Sequence, residues 1–309
     1  MKIITLTLNP AFDVHCFCGH FEPFHENLAS ITSKDAGGKG VNISRALTEN
    51  GVANTALVVF GEQNALDFRH NLDEYGIEVE QIVVPGRIRE NITIHTSDSP
   101  ETRISFAGFD TDDSLLERVM DVLASKIDAN TVITFTGRLP TGISVDAAKR
   151  MLLAMRERGA KIVIDSRSFS LNDIIDCRPW LIKPNDEEIA MYSDSAVHDL
   201  EDAARAAQAL REQGIENVMI SLGAQGAVLS CEDGCFSVNA PSVEVLSTIG
   251  AGDSSIAGFL AAAEQGCSPA QMLKRAVCYG SAACQTEGTQ PPKRDAVKHL
   301  MDQVTVQKI

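Results

Sequence analysis

One glycine-rich segment combines the features that phosphoryl transfer requires. Residues 248–254 read Thr-Ile-Gly-Ala-Gly-Asp-Ser and stand directly before an apolar stretch with helical spacing. Glycines allow a tight turn, and a helix N-terminus gathers N–H groups and partial positive charge, which suits a nucleotide phosphate. Asp253, in the first turn, could accept the proton of an attacking hydroxyl. Taken alone, Asp253 could equally be an ordinary carboxylate at a helix start.

A second glycine cluster, residues 36–42 (Ala-Gly-Gly-Lys-Gly-Val-Asn), also precedes a helical pattern. Glycine lets a ligand approach the backbone closely, and Asn42 can both donate and accept hydrogen bonds toward sugar hydroxyls. Lys39 supplies a mobile cation. The alternative is a plain tight turn between a strand and a helix. The pattern GxxxxGK[ST] of a Walker A loop is absent from the sequence.

The segment Lys183-Pro-Asn-Asp-Glu-Glu188 follows an apolar strand pattern and indicates a magnesium contact. Asn185 and Glu188 are three residues apart, so they share one face of the following helical turn. Mg²⁺ usually keeps several waters, and these two side chains could hold a hydrated ion through its waters. The same spacing suits a capped, acidic helix start equally well.

Two further clusters could line a binding site. Residues 221–226 (Ser-Leu-Gly-Ala-Gln-Gly) follow a predicted strand, and loops at the carboxyl ends of parallel strands bind ligands. A simple hairpin turn is the alternative. A second cluster, Arg87, Arg89 and Asn91, lies before another strand pattern. The arginine guanidinium can bind a phosphate through two parallel hydrogen bonds. The alternative there is a solvated basic edge.

The elements that must position these residues alternate between strands and helices. Short β-branched runs predict strands at 3–8, 56–60, 132–135, 161–165 and 218–222. Helical spacing or composition predicts helices at 41–50, 145–158, 200–210 and, broken near 266–269, from 256 to about 284. This alternation indicates βαβ units around a parallel sheet. The stretches 12–34 and 88–107 contain only strand patterns, and we expect them to form one small sheet beside a single domain of residues 1–309.

Charge and composition exclude several classes of function. The 309 residues include 42 acidic and 27 basic side chains, a formal charge of −15, which opposes binding to nucleic acid or an anionic membrane. No apolar run reaches the roughly 18 residues of a membrane-spanning helix, and the N-terminus does not read as a signal peptide. The eight cysteines lack zinc-site spacing. We therefore expect reduced thiols in a cytoplasmic protein.

Together these segments resemble the ribokinase-like sugar kinases, in particular the phosphofructokinase B branch. The resemblance extends over essentially the whole chain, and its carriers are residues 7–10 with Asp13, 36–42, Arg89-x-Asn91, 136–142, 183–188, 221–226 and 247–254. Each segment alone is modest evidence, but their order and spacing are specific. The resemblance implies a Rossmann-like three-layer α/β sandwich with a small β-sheet lid that closes over the sugar.

The resemblance also implies a role for each matching residue. Asp253 is expected to be the catalytic base, with an anion hole formed by Gly250, Ala251 and Gly252. The residues expected to contact the sugar phosphate are Asp13, Gly37, Gly38, Lys39, Asn42, Arg89, Asn91, Arg138 and Asp253. Those expected to bind the nucleotide are Lys183, Asn185, Ser221, Gly223, Gly226, Gly250, Gly252 and Ser281, with the adenine near 281–288. Asn185 and Glu188 are expected to contact Mg²⁺ through water.

Within this family, the Thr-Leu-Asn-Pro opening and the Lys-Pro-Asn motif resemble members that act on fructose 1-phosphate or tagatose 6-phosphate. The sequence is therefore expected to use ATP with Mg²⁺ to phosphorylate fructose 1-phosphate on its 6-hydroxyl, giving fructose 1,6-bisphosphate. Tagatose 6-phosphate and fructose 6-phosphate are alternatives. One departure bears on this choice: Arg138 stands in Thr-Gly-Arg-Leu-Pro, where that group usually has Ser-Gly-Ser-Leu-Pro.

Two other functions remain as alternatives, and one assembly is expected. A non-catalytic sensor of sugar phosphates would not need Asp253, and an unphosphorylated sugar or nucleoside would not need so many arginines near the sugar site. The lid is expected to form a homodimer interface, as it does in many relatives. Aromatic side chains such as Phe17 and Phe21 would then lie in an association surface.

Overall fold

The computed structural model describes residues 1–98, 101–192 and 197–309. Its strands are β1 (Lys2–Thr7), β2 (Ala11–Phe17), β3 (Ser30–Gly37), β4 (Thr55–Gly61), β5 (Glu78–Val84), β6 (Arg89–His95), β7 (Thr102–Ser105), β8 (Thr131–Thr136), β9 (Lys161–Asp165), β10 (Leu181–Ile182), β11 (Asn217–Ser221), β12 (Ala227–Cys231), β13 (Gly234–Val238) and β14 (Val306–Lys308). Its α-helices are α1 (Lys39–Glu49), α2 (Ala65–Glu74), α3 (Ser114–Leu123), α4 (Val145–Glu157), α5 (Leu171–Cys177), α6 (Asp186–Tyr192), α7 (Leu200–Glu212), α8 (Ala251–Glu264), α9 (Pro269–Ala283) and α10 (Arg294–Gln303).

A large sheet runs through the molecule in the strand order β14-β13-β12-β11-β10-β9-β8-β1-β4-β5. From β5 to β11 every neighbouring pair is parallel, as the alternating sequence pattern predicts. The last three strands pair antiparallel. The sequence analysis did not predict them, although Asp233-Gly234, with Gly234 at φ +121°, is a hairpin signal.

Helices cover both faces of this sheet and make the predicted three-layer sandwich. In β1, Ile4 and Leu6 pack into the core on the side of α3, α4, α5 and α7. Ile3 packs on the opposite side, with α1, α8, α9 and α10. This alternation follows from the period of two along a strand. Most residues of helix α8 from Asp253 to Ala262 are buried, whereas the first residues at its N-terminus are partly exposed.

The boundary between α8 and α9 follows local sequence signals. Gly266, at φ +68°, follows the end of α8. Ser268 then accepts a hydrogen bond from the backbone N–H of Gln271, and the Gln271 side chain completes a capping box. Pro269 occupies the first position of α9, where its missing N–H costs nothing. The predicted break near 266–269 is therefore confirmed.

A second sheet, in the order β3-β2-β6-β7, stands beside the main one. This confirms the expected small lid sheet, whose strands lie within or next to the predicted stretches; residues 99 and 100 of those stretches lie outside the described residues. Strand β5, near the second stretch, belongs to the main sheet instead. Phe12 of the lid packs edge-on against Phe68 of α2, with ring centroids 5.0 Å apart, and this contact joins the lid to the main domain.

Register assigns the two faces of the lid. Asp13, Asn91 and Ser105 are cross-strand neighbours, so their side chains point to the same face. Val14, Ile92 and Ile104 are likewise neighbours and point to the other face. Phe17 lies four residues after Asp13 in β2, and side chains alternate between the two faces of a strand. Phe17 therefore lies on the face with the polar side chains, not on the opposite apolar face.

Candidate active site

A cleft of about 600 Å³ lies between the lid and the carboxyl ends of the central strands. Thr7, Thr136 and Asp165 reach it from the ends of β1, β8 and β9. The predicted site residues that line it are Asp13, Gly38, Lys39, Asn42, Arg89, Asn91, Arg138, Lys183, Asn185, Glu188, Gly250, Gly252 and Asp253. The fold thus brings most of the predicted residues to one place, because parallel strands end at a common edge.

Asp253 occupies the first turn of α8 and is only 6 % exposed. The amide Nδ2 of Asn42, on α1, donates to Asp253 Oδ2 at 2.9 Å, so the helices that follow the two glycine loops meet at this carboxylate. Burial raises the pKa of Asp253 to about 6; Lys39 opposes the shift and Asp165 adds to it. A carboxylate with this pKa is mostly ionised at neutral pH and can still accept a proton from a hydroxyl.

The N-terminus of α8 has the backbone geometry of an anion site. Gly250 caps the helix at φ +78°, a conformation that favours glycine. The first-turn N–H groups of a helix have no intrahelical acceptor, and they carry the positive end of the helix dipole. A Cβ on Gly252 would stand 3.1 Å from Lys183 Nζ, so glycine lets that ammonium approach the helix end. Ala251 does not line the cleft; its N–H donates to Thr248 O at 3.4 Å.

Two lysines and a buried aspartate stand beside this helix end. Lys39 Nζ donates to Asp165 Oδ1 at 2.9 Å. Burial opposes the ionisation of Asp165, but Lys183 and Lys39 hold its pKa below the usual value. Burial likewise disfavours the charged form of Lys39, yet Asp165 and Asp253 hold its pKa above normal. Lys39 therefore stays cationic next to the predicted phosphate site.

The lid supplies a carboxylate and a matching amide. Asn91 Nδ2 donates to Asp13 Oδ1 at 2.9 Å. Burial raises the pKa of Asp13 above its usual value. The hydrogen bond from Asn91 and the charges of His15 and Arg89 act in the opposite direction but do not cancel this effect. A Cβ on Gly37 would overlap Asp13 Oδ2, so glycine leaves room for the Asp13 carboxylate in its observed position, although Gly37 itself does not line the cleft. Gly38, at φ +116°, turns the backbone toward α1.

Arginines face this end of the cleft. Burial lowers the pKa of Arg89; Asp13 opposes that effect and the nearby Arg138 adds to it. Arg89 Nε is buried and has no hydrogen-bond partner among the described residues. Arg138 lines the cleft and pairs with no acid in the described part of the chain. Arg87 instead lies 3.3 Å from Glu90 on the exposed surface, so it does not join the cluster.

Some cleft residues were missed by the sequence analysis. Asp165 ends the apolar strand β9, and a polar residue at the end of a buried parallel strand is the signal that could have identified it. Arg167 follows two residues later and also lines the cleft. Arg103 lies on β7 directly across the lid from His15 and Thr93, and this register cannot be read from the sequence alone.

The structure does not bring the rest of the predicted nucleotide residues to the cleft. Those that line neither this cleft nor its neighbour are Ser221, Gly223, Gly226 and Ser281. Residues 222–226 connect β11 to its antiparallel neighbour β12, so the hairpin alternative describes this turn. Gly226, at φ +114°, packs against the backbone of Val238 and Asn239. The nucleotide role of these residues stays a prediction.

A neighbouring cavity of about 650 Å³ lies between the lid and residues 245–249 and 287–290. It shares Arg103 and Ile249 with the cleft. From the segment 281–288, predicted to surround the adenine, only Glu287 and Gly288 line it. The lid reaches it through His15, His95 and Phe17, with the two imidazoles stacked and their facing nitrogens 2.9 Å apart.

The residues predicted to contact magnesium fit a hydrated ion, not an all-protein cage. Asn185 Oδ1 accepts from Glu188 N at 2.9 Å, and Glu188 Oε2 accepts from Asn185 N at 3.3 Å, which is a capping box at the start of α6. Arg167 Nε donates to Glu188 Oε1 at 3.1 Å. Among the described residues, no three His, Cys, Asp or Glu side chains converge on a point that could hold a metal ion. The site can offer Mg²⁺ carboxylate and amide oxygens through water.

Comparison with known proteins agrees with this architecture. The family model of "pfkB family carbohydrate kinase" matches residues 14–296. The 1-phosphofructokinase of Escherichia coli (strain K12) is 35% identical over 259 residues, which covers 84% of this chain and 83% of that protein. The 1-phosphofructokinase of Bacillus subtilis (strain 168) is 29% identical over 309 residues, covering 99% and 100%.

The fold matches a solved structure over nearly its whole length. The crystal structure of phosphofructokinase-2 from Escherichia coli in complex with substrates and products superposes with a TM-score of 0.90. The match covers 98% of this chain and 99% of that one at 24% sequence identity. At this identity the likeness shows the fold alone. Within the described residues, no helix combines the length and apolar character needed to cross a bilayer.

Proposed function

This chain belongs to the pfkB family of carbohydrate kinases, and we propose that it transfers the γ-phosphoryl group of ATP to the 6-hydroxyl of fructose 1-phosphate. The product would be fructose 1,6-bisphosphate. The observation that carries the proposal is the arrangement of one cleft: a buried carboxylate, Asp253, lies at a helix N-terminus, and two arginines also line the cleft, Arg89 from the lid strand β6 and Arg138 from the loop after β8. Such a cleft suits a substrate with an anion at one end and a reacting hydroxyl at the other.

Asp253 acts as the base in this proposal. The sugar hydroxyl gives its proton to the carboxylate while its oxygen forms a bond to the γ-phosphorus, and the bond to the ADP oxygen breaks. The first-turn N–H groups of α8 and the Lys183 ammonium stabilise the charge on the transferring phosphoryl group. Asn42 keeps the carboxylate aimed into the cleft through its 2.9 Å hydrogen bond.

The lid orients the sugar. Asp13, held by Asn91, and Asn42 accept or donate hydrogen bonds to ring hydroxyls. The unpartnered Nε of Arg89 is a donor that a phosphate oxygen would satisfy, and a buried donor without a partner is costly. Arg138, free of any acidic partner in the described part of the chain, adds a second cation to the phosphate clamp. With the 1-phosphate held there, the far primary hydroxyl is directed toward Asp253.

Magnesium enters this proposal as the partner of ATP. Mg²⁺ supplies charge neutralisation on the nucleotide phosphates when it is bound. Asn185 and Glu188 would hold it through its waters, and Lys183 would contact the same phosphates. Ser221, Gly223, Gly226 and Ser281 are proposed to contact the remainder of the nucleotide on the basis of the family resemblance.

A panel of three sugar phosphates tests the proposed substrate. The values of kcat/KM for fructose 1-phosphate, tagatose 6-phosphate and fructose 6-phosphate are compared in an assay coupled to ADP release. Fructose 1-phosphate is expected to be used best. If another of the three is preferred, the substrate assignment is wrong and the kinase activity stands. If no ADP is released with any of the three sugar phosphates, the assignment of a sugar-phosphate substrate is contradicted.

The proposal includes a homodimer that forms through the lid. The lid face opposite the cleft carries exposed apolar side chains, Ile31 at 68 % and Ile104 at 41 % exposure. By register, Cys16, Ile31 and Ile94 form one cross-strand row on that face. A small sheet with an exposed apolar face is an association surface, and a second copy of the chain is the proposed partner.

A further inference from the structure

Arg45 carries no role in the site described above, yet it is among the most deeply buried charged residues of the protein, with a side chain 1 % exposed. It lies on α1, three residues after Asn42, on the same side of that helix. We propose that Arg45 is a positioning residue that joins the base of the lid to the loop beside the anion hole, so that both halves of the cleft are set as one unit. The inference rests on the proposed function for the substrates used in its test.

The guanidinium contacts three separate elements. Nη1 donates to Thr289 Oγ1 at 3.4 Å, and Nη2 donates to Gln290 Oε1 at 3.2 Å. Nη2 also stands 3.9 Å from Asp35 Oδ1 at the end of β3. The guanidinium carbon lies 3.9 Å above the ring of Tyr75, just after α2. A buried cation needs this many partners, because burial without them is strongly unfavourable.

The contact with Asp35 reaches the sugar side of the cleft. Asp35 is the cross-strand partner of Asp13 in the β2–β3 ladder. It accepts hydrogen bonds from Tyr75 OH at 2.8 Å and from Gln290 Nε2 at 3.3 Å. Any movement of Asp35 relative to α1 is therefore passed through the ladder to Asp13, which holds the sugar in the proposed function.

The contact with the loop reaches the nucleotide side. Thr289 lines the cleft, and its Cα lies 3.9 Å from the point where a Cβ on Gly250 would stand. Gly250 is the cap of α8, so the position of this loop restricts the geometry of the anion hole. Thr286 Oγ1 lies 2.7 Å from both Ala283 O and Gln290 O, which folds the loop back on the end of α9.

Arginine is suited to this junction because its planar fork presents several donors in fixed directions. Asp35, Gln290 and Arg45 close a ring in which each contacts the other two. A lysine would keep the charge, but a single ammonium cannot span Thr289, Gln290 and Asp35 and also stack on Tyr75. The substitution Arg45→Lys therefore separates the positioning role from the mere presence of a cation.

The contact of Arg45 with Asp35 is called the lid arm, and its contacts with Thr289 and Gln290 are called the loop arm. The test compares variants that weaken one arm or both. Arg45→Lys weakens both arms, Asp35→Asn weakens the lid arm, and Gln290→Met weakens the loop arm. Arg275→Lys is the matched control, because Arg275 on α9 is a partly buried arginine that donates to Gln265 Oε1 at 2.7 Å and does not line the cleft. The measurements are KM for ATP, KM for fructose 1-phosphate, kcat and Tm. A second readout is hydrogen–deuterium exchange of residues 30–37 with and without MgATP.

We expect Arg45→Lys to raise both KM values at least fivefold. Asp35→Asn should raise mainly the sugar-phosphate KM, Gln290→Met mainly the ATP KM, and Arg275→Lys neither. MgATP should slow exchange in residues 30–37 of the parent protein and fail to do so in Arg45→Lys. A lower Tm for Arg45→Lys with both KM values within twofold would overturn the proposal, since a purely structural role predicts that pattern.

Two outcomes are separated by design. If Arg45→Lys does not fold, the single-arm variants decide: the split between the two KM values supports the proposal, and behaviour like that of Arg275→Lys overturns it. If the parent protein does not phosphorylate fructose 1-phosphate, the proposed function fails, and the exchange experiment decides the positioning role by itself. Equal protection of residues 30–37 by MgATP in the parent and in Arg45→Lys would overturn it.

Discussion

Replacing Asp253 by asparagine should abolish most of the turnover while making the folded protein more stable at neutral pH. The substitution keeps the size of the side chain and leaves an amide oxygen for the 2.9 Å hydrogen bond from Asn42. It removes the group that accepts the hydroxyl proton, and a positioned general base contributes roughly 10²–10⁴-fold to the rate. We expect kcat to fall by about that factor while the dissociation constant of MgATP, measured by calorimetry, stays nearly unchanged.

The expected gain in stability follows from the pKa of Asp253. Burial raises it from 3.8 to about 6, so the folded protein binds this proton more tightly than the unfolded chain does. The ionised carboxylate therefore costs stability, by roughly 3 kcal/mol at about 1.4 kcal/mol per pKa unit. The cost is absent below about pH 4, grows as the pH rises toward 6, and is fully present above that value. Asp253→Asn should raise Tm by several degrees at pH 7.5 and hardly at all at pH 4.

The same substitution at Asp165 is the matched control, because that carboxylate is equally buried and has the opposite shift. Lys183 and Lys39 overcome the effect of burial and hold its pKa low, so its ionised form stabilises the fold above the usual aspartate pKa, and this contribution is lost as the pH falls. Asp165→Asn should therefore lower Tm at pH 7.5. Turnover of Asp253→Asn within threefold of the parent would refute its assignment as the base. A lower Tm for Asp253→Asn at pH 7.5 would refute the electrostatic reasoning.

Other predictions concern the metal, the sugar phosphate, the pH profile and the assembly. Glu188→Gln should raise the Mg²⁺ concentration needed for half-maximal rate, and an unchanged titration would leave Glu188 as a helix cap and a partner of Arg167. Arg138→Ser should raise KM for the sugar phosphate roughly tenfold or more but hardly change that for ATP, as expected for a lost charge-assisted hydrogen bond; equal effects on both would argue against a phosphate clamp. The parent kcat should fall about tenfold per pH unit below about 6, where Asp253 takes up a proton. Ile31→Glu should shift the sedimentation coefficient from dimer to monomer at micromolar concentration; a monomeric parent would contradict the dimer without affecting the kinase.

Much of the fold could be predicted because its signals are local. Strand β9 occurs at the residues predicted, and α1, α4 and α7 begin and end within two residues of the predicted limits or extend slightly beyond them. The patterns that were missed are short or lie at the edges. Strands β12 to β14 form an antiparallel extension of the sheet, and α2, α3, α5 and α10 fill parts of the chain that the sequence analysis left without a prediction.

The candidate site could be predicted less completely than the fold. Residues of both glycine loops predicted to bind ligands, 36–42 and 248–254, line one cleft, while their binding roles stay predictions. Each loop precedes a helix, which is the local signal that singled it out. Arg103, Asp165 and Arg167 were missed. Arg103 enters the cleft through the register of β6 with β7, and that register depends on a pairing between strands that local sequence does not encode.

The sequence by itself determined the family, the alternation of strands and helices, and the chemical groups available for phosphoryl transfer, because motifs and periodicity depend on residues near each other in the chain. Only the tertiary structure decided what those groups face. In the folded protein Asn42 donates a hydrogen bond to Asp253, 211 positions away in the sequence, and Lys39 donates one to Asp165. Arg138 lines the cleft without an acidic partner among the described residues. The tertiary structure also buried Asp253 among these charges and so set its pKa near 6. Desolvation and long-range charge are properties of the packed molecule, and the linear chain contains no direct sign of either.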